Sequence, residues 1–569
     1  MVNININGKD VQIKEKSSIL EAAQQIGIRI PTLCFMKMSD GESYNCKGSC
    51  RVCVVEIEGR KDLEPACYTE AKEGMRILTN STKAREGRKT IIELLLSNHP
   101  NDCLNCTKNM NCELQSLARD YGVENINSKV EVPRPIDGST PIIKNMDKCI
   151  LCRRCVTACA DVQNMNILSP TMRSYHTHIT TFNDKPLIDV DCTYCGQCVA
   201  VCPTGALSER LDYPKLFKML EDASKYVVVQ MAPAVRVALC EEFGVGPDIL
   251  TTKKIVSALK LLNFNKVFDT NFSADLTIME ETKELIERIS NKENMPLFTS
   301  CCPAWVKMVE SKYPEYTNLL SSCKSPQEMF GAISKEYLPK LLEINKENLV
   351  VASIMPCTSK KDEAAREEMN NEVDIVITSR ELAKMIRQAG IDIVNLKEEE
   401  FDSPLGTSTG AAMIFGTSGG VMEAALRTAY EKLTSETLQN IDFKEVRGIK
   451  GIKEATVKIK DLELKVAVVS SLKNGEKIME EVIKDRNKYD FIEVMACPGG
   501  CVNGGGQPYI RSSIEKIENR MDRVYKEDEN KPIRKSHENP DIIKLYEELL
   551  NNQDEDLTHK LLHRKYRQK

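Results

Sequence analysis

Several features that mark common classes of protein are missing from this sequence. It has no long basic block, and its 78 Lys and Arg residues are outnumbered by 83 Asp and Glu residues. Nucleic-acid binders usually carry a clustered basic patch, so this class is excluded. No apolar run approaches the roughly 18 residues of a membrane span, and no basic and apolar leader follows Met1. We therefore expect a cytoplasmic protein with no membrane and no nucleic-acid partner.

Cysteine is the residue type that stands out, with 23 in a chain of 569 residues. The length is too great for one core and predicts three to five domains, and a hydrophobic content of 41% is sufficient for globular folding. In a small secreted domain many cysteines indicate disulfides. In a large chain without a leader, short fixed spacings favour metal binding instead.

Two cysteine runs have the spacing of a two-cluster bacterial ferredoxin. They are Cys149-x2-Cys152-x2-Cys155-x3-Cys159 and Cys192-x2-Cys195-x2-Cys198-x3-Cys202-Pro203. In this pattern each 4Fe-4S cluster takes three thiolates from one run and the last thiolate of the other. We expect one cluster on Cys149, Cys152, Cys155 and Cys202, and the other on Cys192, Cys195, Cys198 and Cys159. A pair of zinc sites, the competing interpretation, rarely shows this triple spacing.

A third group combines one imidazole with three thiols: His99, Cys103, Cys106 and Cys112. Taken alone, it fits a structural zinc site and a histidine-ligated 4Fe-4S cluster equally well. Its position beside two ferredoxin clusters favours the 4Fe-4S cluster. A neutral imidazole makes the cluster less negative and so tends to raise its reduction potential.

The first 80 residues have the layout of a β-grasp 2Fe-2S ferredoxin. The pattern predicts strands at 2–6 and 10–14, a helix from a Ser17 or Ser18 cap through Ile26, and a strand at 54–57. The Cys-x2-Cys pair Cys50 and Cys53 leads directly into that last strand. We therefore assign the cluster to Cys34, Cys50, Cys53 and Cys67. Cys46 is then a spare thiol near the cluster, and the alternative is that it replaces Cys50.

From about residue 210 onward, strand candidates at 226–229, 266–268, 349–352, 373–376, 466–469 and 491–494 alternate with helical segments. This alternation predicts an α/β domain with parallel sheets, in which chemistry lies just past the carboxyl ends of strands. Cysteines stand at those ends. Four of them can bind one more cubane, which leaves Cys301 over: Cys302, Cys357, Cys497 and Cys501.

Three segments around these cysteines resemble the signature motifs of the FeFe-hydrogenases, also called iron-only hydrogenases. They are 299–305, 355–361 and 493–508, and the order of the preceding Fe-S domains resembles the clostridial monomeric type. The resemblance implies an H-cluster, a 4Fe-4S cubane joined through a cysteine sulfur to a two-iron unit with carbonyl, cyanide and azadithiolate ligands. By position, Cys302, Cys357, Cys497 and Cys501 are similar to the cubane ligands, with Cys501 as the bridge.

The resemblance also implies roles for residues around the two-iron unit. Lys360 and Gln327 match donor positions, Ser325 lies in a matching segment, and Pro233, Met355 and Met495 match packing and backbone positions. For proton transfer it implies a relay of Cys301, Glu281, Ser321, Glu284 and Arg288. On spacing alone, Glu281, Glu284 and Arg288 would be read as a solvated helix face. A buried relay carboxyl should have a raised pKa.

Three residues depart from the family pattern or have no assigned role in it. Ala234 stands where the family more often has serine, which removes one potential donor to a cyanide. Cys323 stands where alanine is more usual, and an additional thiol there bears on oxidation. Cys240 has no assigned partner and is interpreted as a small buried hydrophobe.

Together these patterns predict a multidomain chain of α+β and α/β parts. The expected domains are a β-grasp 2Fe-2S domain (1–79), a His/Cys3 4Fe-4S domain (80–128), a ferredoxin domain with two 4Fe-4S clusters (129–209), a two-lobed H-cluster domain (210–509) and a C-terminal segment that resembles the family's small subunit (510–569). The implied activity is the reversible reduction of protons to H2, with electrons relayed through four accessory clusters.

No nucleotide or flavin fingerprint is evident, which favours ferredoxin or flavodoxin as the electron partner. The family resemblance implies that maturation proteins insert the two-iron unit. One alternative is an Fe-S electron-transfer subunit of a larger dehydrogenase, which would not need Cys301 or the motif after Met495. The other is a hydrogen sensor or cluster-assembly relative, which generally loses the proton thiol, a ligand or the N-terminal relay.

Overall fold

The computed structural model describes residues 1–45, 47–124, 133–460, 462–550 and 555–566, so the predictions made for Cys46 lie outside the described residues. The chain divides into two compact units. The first comprises Met1–Val162, Asn166–Val190 and Val201–Ser208. The second comprises Gln163–Met165, Asp191–Ala200 and Glu209–Lys569.

The first unit begins with a mixed five-stranded sheet in the order β2-β1-β5-β3-β4. Its elements are β1 (Val2–Ile6), β2 (Lys9–Ile13), α1 (Ile19–Gln25), β3 (Val54–Ile57), β4 (Glu64–Pro65) and β5 (Arg76–Leu78). Ser18 caps α1 in a reciprocal pair with Glu21, which satisfies two otherwise unpaired N–H groups. Alternate side chains of β1 and the apolar face of α1 form one buried core. The β-grasp prediction is confirmed.

The rest of the first unit consists of short elements around the cysteine loops. In chain order they are α2 (Thr82–Ser97), α3 (Glu113–Asp120), β6 (Ile142–Lys144), α4 (Arg154–Thr157), β7 (Ser169–Thr171), β8 (His178–Thr180) and β9 (Leu207–Glu209), whose last residue belongs to the second unit. The helix α5 (Gln197–Val201), between β8 and β9, belongs to the second unit except for Val201. Four cysteines from three different predicted cluster groups share one apolar core with Leu33, Val52 and Ile92: Cys34, Cys50, Cys112 and Cys152.

The second unit contains the remaining helices and strands. They are α6 (Tyr213–Glu221), β10 (Tyr226–Met231), α7 (Pro233–Ala238), α8 (Cys240–Phe243), α9 (Thr252–Leu261), β11 (Lys266–Asp269), α10 (Thr270–Asn291), β12 (Leu297–Phe298), α11 (Pro303–Lys312), α12 (Pro326–Leu342), β13 (Leu349–Met355), α13 (Ser359–Glu363), β14 (Ile375–Thr378), α14 (Ser379–Gln388), α15 (Gly410–Met413), α16 (Gly420–Thr434), β15 (Ile452–Ile459), β16 (Leu462–Ser470), α17 (Leu472–Lys484), β17 (Phe491–Met495), α18 (Ile514–Glu529), α19 (Pro540–Leu545) and α20 (Glu555–Leu562).

Two four-stranded sheets organise this unit, in the orders β11-β10-β13-β14 and β12-β17-β16-β15. The first sheet is entirely parallel. In the second, β12, β17 and β16 are parallel and β15 joins β16 as an antiparallel edge. Every residue of β13 and β17 is buried, as expected for parallel strands covered on both faces. The predicted α/β architecture with two lobes is confirmed.

One predicted strand is displaced. The strand expected at 373–376 begins at Ile375 and continues to Thr378, where Thr378 caps α14. Val373 and Asp374 precede it because Asp374 uses its carboxylate to accept the Val351 N–H at 2.7 Å, outside the regular ladder.

Candidate functional site

Loops that follow four strands of the two sheets surround one cavity. The loops after β10 and β13 come from the first sheet, and those after β12 and β17 from the second. The cavity has a volume of about 90 Å³. Its wall is mainly apolar and includes Pro233, Ala234, Met355, Phe415 and Met495. The carboxyl ends of parallel strands thus converge on it, as the sequence predicted for the site.

Four thiols project into this cavity: Cys302, Cys357, Cys497 and Cys501. Burial is the main cause that raises the pKa of each of them, and the pKa of Cys357 reaches about 11 because the charge of Cys302 adds to this effect. Ionising four buried thiols that lie close together costs free energy unless a cation binds the thiolates. The donor set therefore fits a 4Fe-4S cubane, whose irons take four thiolates.

Cys301 lines the same cavity beside these four thiols. Burial and the neighbouring Glu281 carboxyl raise the pKa of Cys301 well above its ordinary value, so it keeps its proton. The thiol is thus a neutral S–H group on the cavity wall.

Two polar side chains face the apolar part of the cavity. The Lys360 ammonium donates to Glu363 Oε2 at 2.7 Å and to the Cys301 carbonyl at 3.2 Å. Gln327 donates to the Lys360 carbonyl at 3.2 Å, while its own Oε1 is buried and has no partner among the described residues. Ser325 caps α12 and donates to the same Glu363 oxygen at 2.9 Å. A cationic head, an amide and an apolar wall fit an iron unit with cyanide and carbonyl ligands.

Glu363 is a residue that the sequence analysis missed. It is fully buried and accepts from Lys360 and Ser325, so it fixes the positions of two predicted site residues. The spacing of Lys360 and Glu363, i and i+3 on the short helix α13, is the signal that would have indicated the pair.

A glycine loop allows the backbone to approach the cavity closely. A Cβ at Gly504 would lie 2.3 Å from the Pro356 carbonyl oxygen, and one at Gly505 would lie 2.6 Å from the Cys195 carbonyl oxygen. Gly500 has a φ of +97°, in the left-handed region that favours glycine. These positions are closed to larger residues because the chain itself occupies the space.

The predicted proton-path residues lie on α10 and on the segment before α12. Ser321 donates to Glu284 Oε2 at 2.8 Å, and Arg288 pairs with Glu284 Oε1. Glu281 is buried and neither of its carboxyl oxygens has a hydrogen-bond partner in the part of the chain that the structure describes. Burial and then the charge of Glu284 raise the pKa of Glu281 to about 8, and the Ser321 hydroxyl opposes this rise without completing a hydrogen bond to it.

The predicted 2Fe-2S thiols of the first unit lie close together. Cys34 contacts Cys50 and Cys67, and Cys67 contacts Cys53. All four are buried. The set fits a 2Fe-2S cluster, which takes four thiolates.

The histidine-containing group also comes together. Burial raises the pKa of both Cys103 and Cys112, and the charge of Cys106 adds to the rise at each, so the three thiols are neighbours. His99 is buried, and its Nε2 has no hydrogen-bond partner among the described residues. Burial followed by the charge of Lys148 lowers the pKa of His99, which keeps the ring neutral. A neutral ring with a free nitrogen suits metal ligation.

The ferredoxin-type cysteines divide between the two units. Cys149, Cys152, Cys155 and Cys202 belong to the first unit, where burial and the charge of Cys202 raise the pKa of Cys149 to about 12. Cys192, Cys195 and Cys198 belong to the second unit, and Cys159 to the first. Their common cluster remains a prediction. Within the second unit, Cys195 lines the main cavity beside Cys497.

The two departures from the family pattern, Ala234 and Cys323, and the unassigned Cys240 have defined surroundings. Ala234 is fully buried in the cavity wall, where its methyl group offers no hydrogen bond. The Cys323 thiol lies 3.9 Å from Glu284 Oε2. Cys240 packs in the core of the first sheet and accepts a hydrogen bond from Arg523 at 3.5 Å.

Family models match successive parts of the chain. The model for the iron only hydrogenase large subunit, C-terminal domain, matches residues 225–505, and that for the iron hydrogenase small subunit matches 514–569. The model for a 2Fe-2S iron-sulfur cluster binding domain matches 1–82. Two models named for NADH dehydrogenases match 88–127 (NADH-ubiquinone oxidoreductase-G iron-sulfur binding region) and 139–208 (NADH-quinone oxidoreductase subunit 3, ferredoxin-like domain).

Individual proteins match over the whole length. The chain is 47% identical to the NADP-reducing hydrogenase subunit HndD of Solidesulfovibrio fructosivorans, over 100% of this chain and 99% of that protein. It is 41% identical to iron hydrogenase 1 of Clostridium pasteurianum, over 100% of both. The solved structure of apo FeFe-hydrogenase HydA1 from Chlamydomonas reinhardtii is 40% identical with a TM-score of 0.57, over 63% of this chain and 99% of that chain.

Among the described residues, none of the helices combines the length and the apolar character that crossing a membrane requires.

Proposed function

The chain belongs to the iron-only hydrogenase family, and on this basis we propose which of its residues carry out the interconversion of protons, electrons and H2. The observation that carries the proposal is the convergence of Cys302, Cys357, Cys497 and Cys501 on one apolar cavity, with Cys301 and Lys360 on its wall. An Fe-S electron-transfer subunit would need none of this second-unit arrangement.

The four cavity thiols are the proposed ligands of the H-cluster cubane, with Cys501 as the bridge to the two-iron unit. When bound, the H-cluster supplies the low-valent iron at which protons and electrons combine. Lys360 places a cationic donor on the cavity wall and Gln327 places its amide there. Pro233, Met355 and Met495 keep water out of the cavity. Glu363 and Ser325 hold Lys360 in place, as supporting residues of metal sites do.

Protons reach the cavity through Arg288, Glu284, Ser321, Glu281 and Cys301 in this proposal. The Cys301 thiol is neutral and can pass a proton inward, provided that Glu281 replaces it. Glu281 suits that task because a pKa of about 8 allows it to bind and release a proton near neutral pH. Glu284 sits between Ser321 and Arg288 and connects the buried carboxyl to the outer residues.

Electrons pass through accessory clusters that are held by the predicted cysteine sets of both units. The proposed ligand sets are those of the sequence analysis, with its domain boundaries at 79, 128, 209 and 509. Two observations support the sets within the first unit. Cys34, Cys50, Cys112 and Cys152 share one core, and Asn45 donates to the carbonyls of both Cys34 and Cys152, at 2.7 and 2.8 Å. Cys195 beside Cys497 supports a last step toward the cavity.

Ferredoxin or flavodoxin is the proposed electron partner, and maturation proteins are proposed to insert the two-iron unit. A cytoplasmic location remains a prediction. A second arrangement is favoured by the 47% identity to a subunit of an NADP-reducing hydrogenase. In that arrangement the chain takes electrons from a nucleotide-binding partner chain. Reduced ferredoxin, but not NADPH, should then support hydrogen evolution by this chain alone.

The function is tested by anaerobic hydrogen evolution from reduced viologen. Protein expressed with the maturation machinery is compared with protein expressed without it, after iron analysis has shown that the accessory clusters are filled in both. Hydrogen from the matured protein alone supports the proposal. No hydrogen from either sample would contradict it and favour a sensor or an electron-transfer subunit.

A further inference from the structure

The C-terminal segment brings a histidine to the outer end of the proposed proton path. His563 follows directly after α20, and its Nδ1 lies 2.8 Å from the Ser322 hydroxyl oxygen. The Ser322 backbone N–H donates to both oxygens of Glu284, at 3.0 and 3.2 Å. Ser322 therefore links the His563 ring to the carboxylate that connects Ser321 with Arg288.

The other face of the ring is held by an anion. His563 Nε2 lies 3.1 Å from Glu280 Oε2, and the Tyr546 hydroxyl donates to Glu280 Oε1. Burial works to raise the pKa of Glu280, but the hydrogen bonds from His563 and Tyr546 overcome it and hold the pKa below its ordinary value. Because Glu280 is ionised, Nε2 carries a proton and donates to it. Both ring nitrogens thus have fixed partners, and the ring cannot turn away from Ser322.

Main-chain contacts place the ring independently of its side-chain bonds. Cys323 and His563 form an isolated antiparallel bridge. Arg564 N–H donates to the Ser322 carbonyl at 2.8 Å, and Lys324 N–H donates to the Leu562 carbonyl at 2.8 Å. A change of the His563 side chain alone leaves these three contacts available. The contribution of the His563 side chain can therefore be tested separately from that of these backbone hydrogen bonds.

We propose that His563 is a positioning residue for proton transfer, holding Ser322 so that the donors of the 321–322 segment stay directed at Glu284. The proposal rests on the proposed hydrogenase function, since Glu284 matters only if protons pass along it. Without the Nδ1 contact, the Ser322 side chain is released and its N–H moves relative to Glu284. Proton hopping needs heavy atoms within about 2.6 to 3.2 Å, so even small displacements slow it.

Three groups surround the His563 ring besides Ser322. They are Glu280 on α10, the Tyr546 hydroxyl, which contacts the ring through Glu280, and His559 on α20. His559 stacks on the His563 ring with a centroid distance of 4.8 Å. Only Ser322 connects the ring to Glu284 by hydrogen bonds among the described residues.

Three variants separate the two ring nitrogens. His563→Asn places its amide near the position of Nδ1 and keeps a partner for Ser322. His563→Gln places its amide near the position of Nε2 and keeps a partner for Glu280 only. Ser322→Ala removes the shared hydroxyl. Each matured protein is assayed for hydrogen evolution in H2O and D2O, with infrared spectra of the H-cluster and a melting temperature as controls.

The expected result distinguishes positioning from general support. His563→Gln and Ser322→Ala should lower turnover by about threefold to tenfold, as for the loss of one hydrogen bond. Their solvent isotope effect should rise, because proton delivery becomes more rate-limiting. His563→Asn should remain close to wild type, and the infrared spectra should not change in any of the three.

Two results would overturn the proposal. One is an unchanged turnover and isotope effect in His563→Gln and Ser322→Ala. The other is an equal loss in His563→Asn and His563→Gln together with a lower melting temperature, which would identify the ring as a structural support only. If the matured wild-type protein evolves no hydrogen, the proposed function fails first and the inference fails with it.

Discussion

At the scale of single residues, the second unit offers a buried thiol to test and a matched one to control. Cys301→Ala removes the proposed proton carrier at the cavity wall. We expect turnover to fall by about a hundredfold or more, because loss of a general acid typically costs that much. The infrared and EPR spectra of the clusters should stay close to wild type.

Cys240→Ala is the control, since Cys240 is a buried thiol in the core of the first sheet, away from the cavity. It should keep nearly full turnover. If Cys301→Ala is as active as Cys240→Ala, Cys301 carries no proton in the reaction.

Glu281 predicts a pH effect on stability. Its pKa is raised from an ordinary 4.5 to about 8, so the folded state holds a proton that the unfolded chain releases. The stabilisation is complete below about pH 4.5 and is lost as the pH rises toward 8. Glu281→Gln stays neutral throughout and escapes that loss.

The measurement compares melting temperatures of both proteins at about pH 5 and about pH 9. Between these two pH values, the melting temperature of the wild type should fall by more than that of Glu281→Gln. Turnover of the variant should fall at every pH, because an amide cannot relay a proton. Parallel pH curves for the two proteins would show that Glu281 is ionised at neutral pH.

The role of a residue could be predicted from the sequence where the spacing of the residues by itself indicates a metal site. The cysteine runs predicted ligand sets whose thiols converge in the first unit, because a cubane restricts its ligands to short fixed loops. The roles of Lys360 and Glu281 required the family resemblance, since a lysine or a glutamate by itself indicates a solvated surface. Glu363 was missed because its i, i+3 spacing from Lys360 also fits an ordinary surface pair, and the spacing does not show that Glu363 is buried.

At the scale of elements, the glycine loop after β17 gives a steric prediction. A Cβ at Gly504 would lie 2.3 Å from the Pro356 carbonyl oxygen, so Gly504→Ala must displace the loop that carries Cys357. Overpacking of this kind costs about 1 to 3 kcal/mol. We expect less H-cluster iron and a lower melting temperature.

Gly246→Ala is the matched control, because a Cβ there meets nothing within 4 Å. It should leave iron content and melting temperature unchanged. Equal iron content in the two variants would mean that the loop tolerates the methyl group.

Long buried strands were predictable and short or exposed ones were not. β10, β13 and β17 are buried and mainly apolar, with one polar residue each (Gln230, Ser353 and Glu493), as in a parallel sheet covered on both faces. β12 has only two residues, too few for any periodicity. β15 is an exposed edge strand whose alternation Ile452 to Ile459 carries lysines and a glutamate. Its period of two is present in the sequence, but its exposed polar side chains interrupt the apolar run that would predict a buried strand.

At the scale of the whole molecule, the complete cofactor set predicts a metal count. One 2Fe-2S cluster, three 4Fe-4S clusters and an H-cluster amount to about 20 iron atoms per chain. Protein made without the maturation machinery should hold about 18, because only the two-iron unit is missing. Elemental analysis of anaerobically purified protein measures both values.

An iron content that is about 4 atoms per chain lower would mean that one of the proposed 4Fe-4S clusters is absent. His99→Ala, which deletes one proposed ligand, would then show whether the missing cluster is the histidine-ligated one.

Contacts across the whole chain were beyond the sequence analysis. The C-terminal segment was recognised by its resemblance to the family's small subunit, but the hydrogen bond between Ser322 and His563 Nδ1 joins residues 241 positions apart. No spacing rule reaches that far. Such pairs depend on how complete elements pack.

The bridge between Cys323 and His563 also sets an order of events during synthesis. All four cavity thiols have been made once Cys501 is added, so a nascent chain already carries the proposed H-cluster ligands. The segment that holds Ser322, however, gains its partners only when Leu562, His563 and Arg564 emerge. A chain released early would thus bind iron but lack an ordered proton entrance. The proposed proton path therefore depends on the C-terminal segment as well as on the cluster ligands.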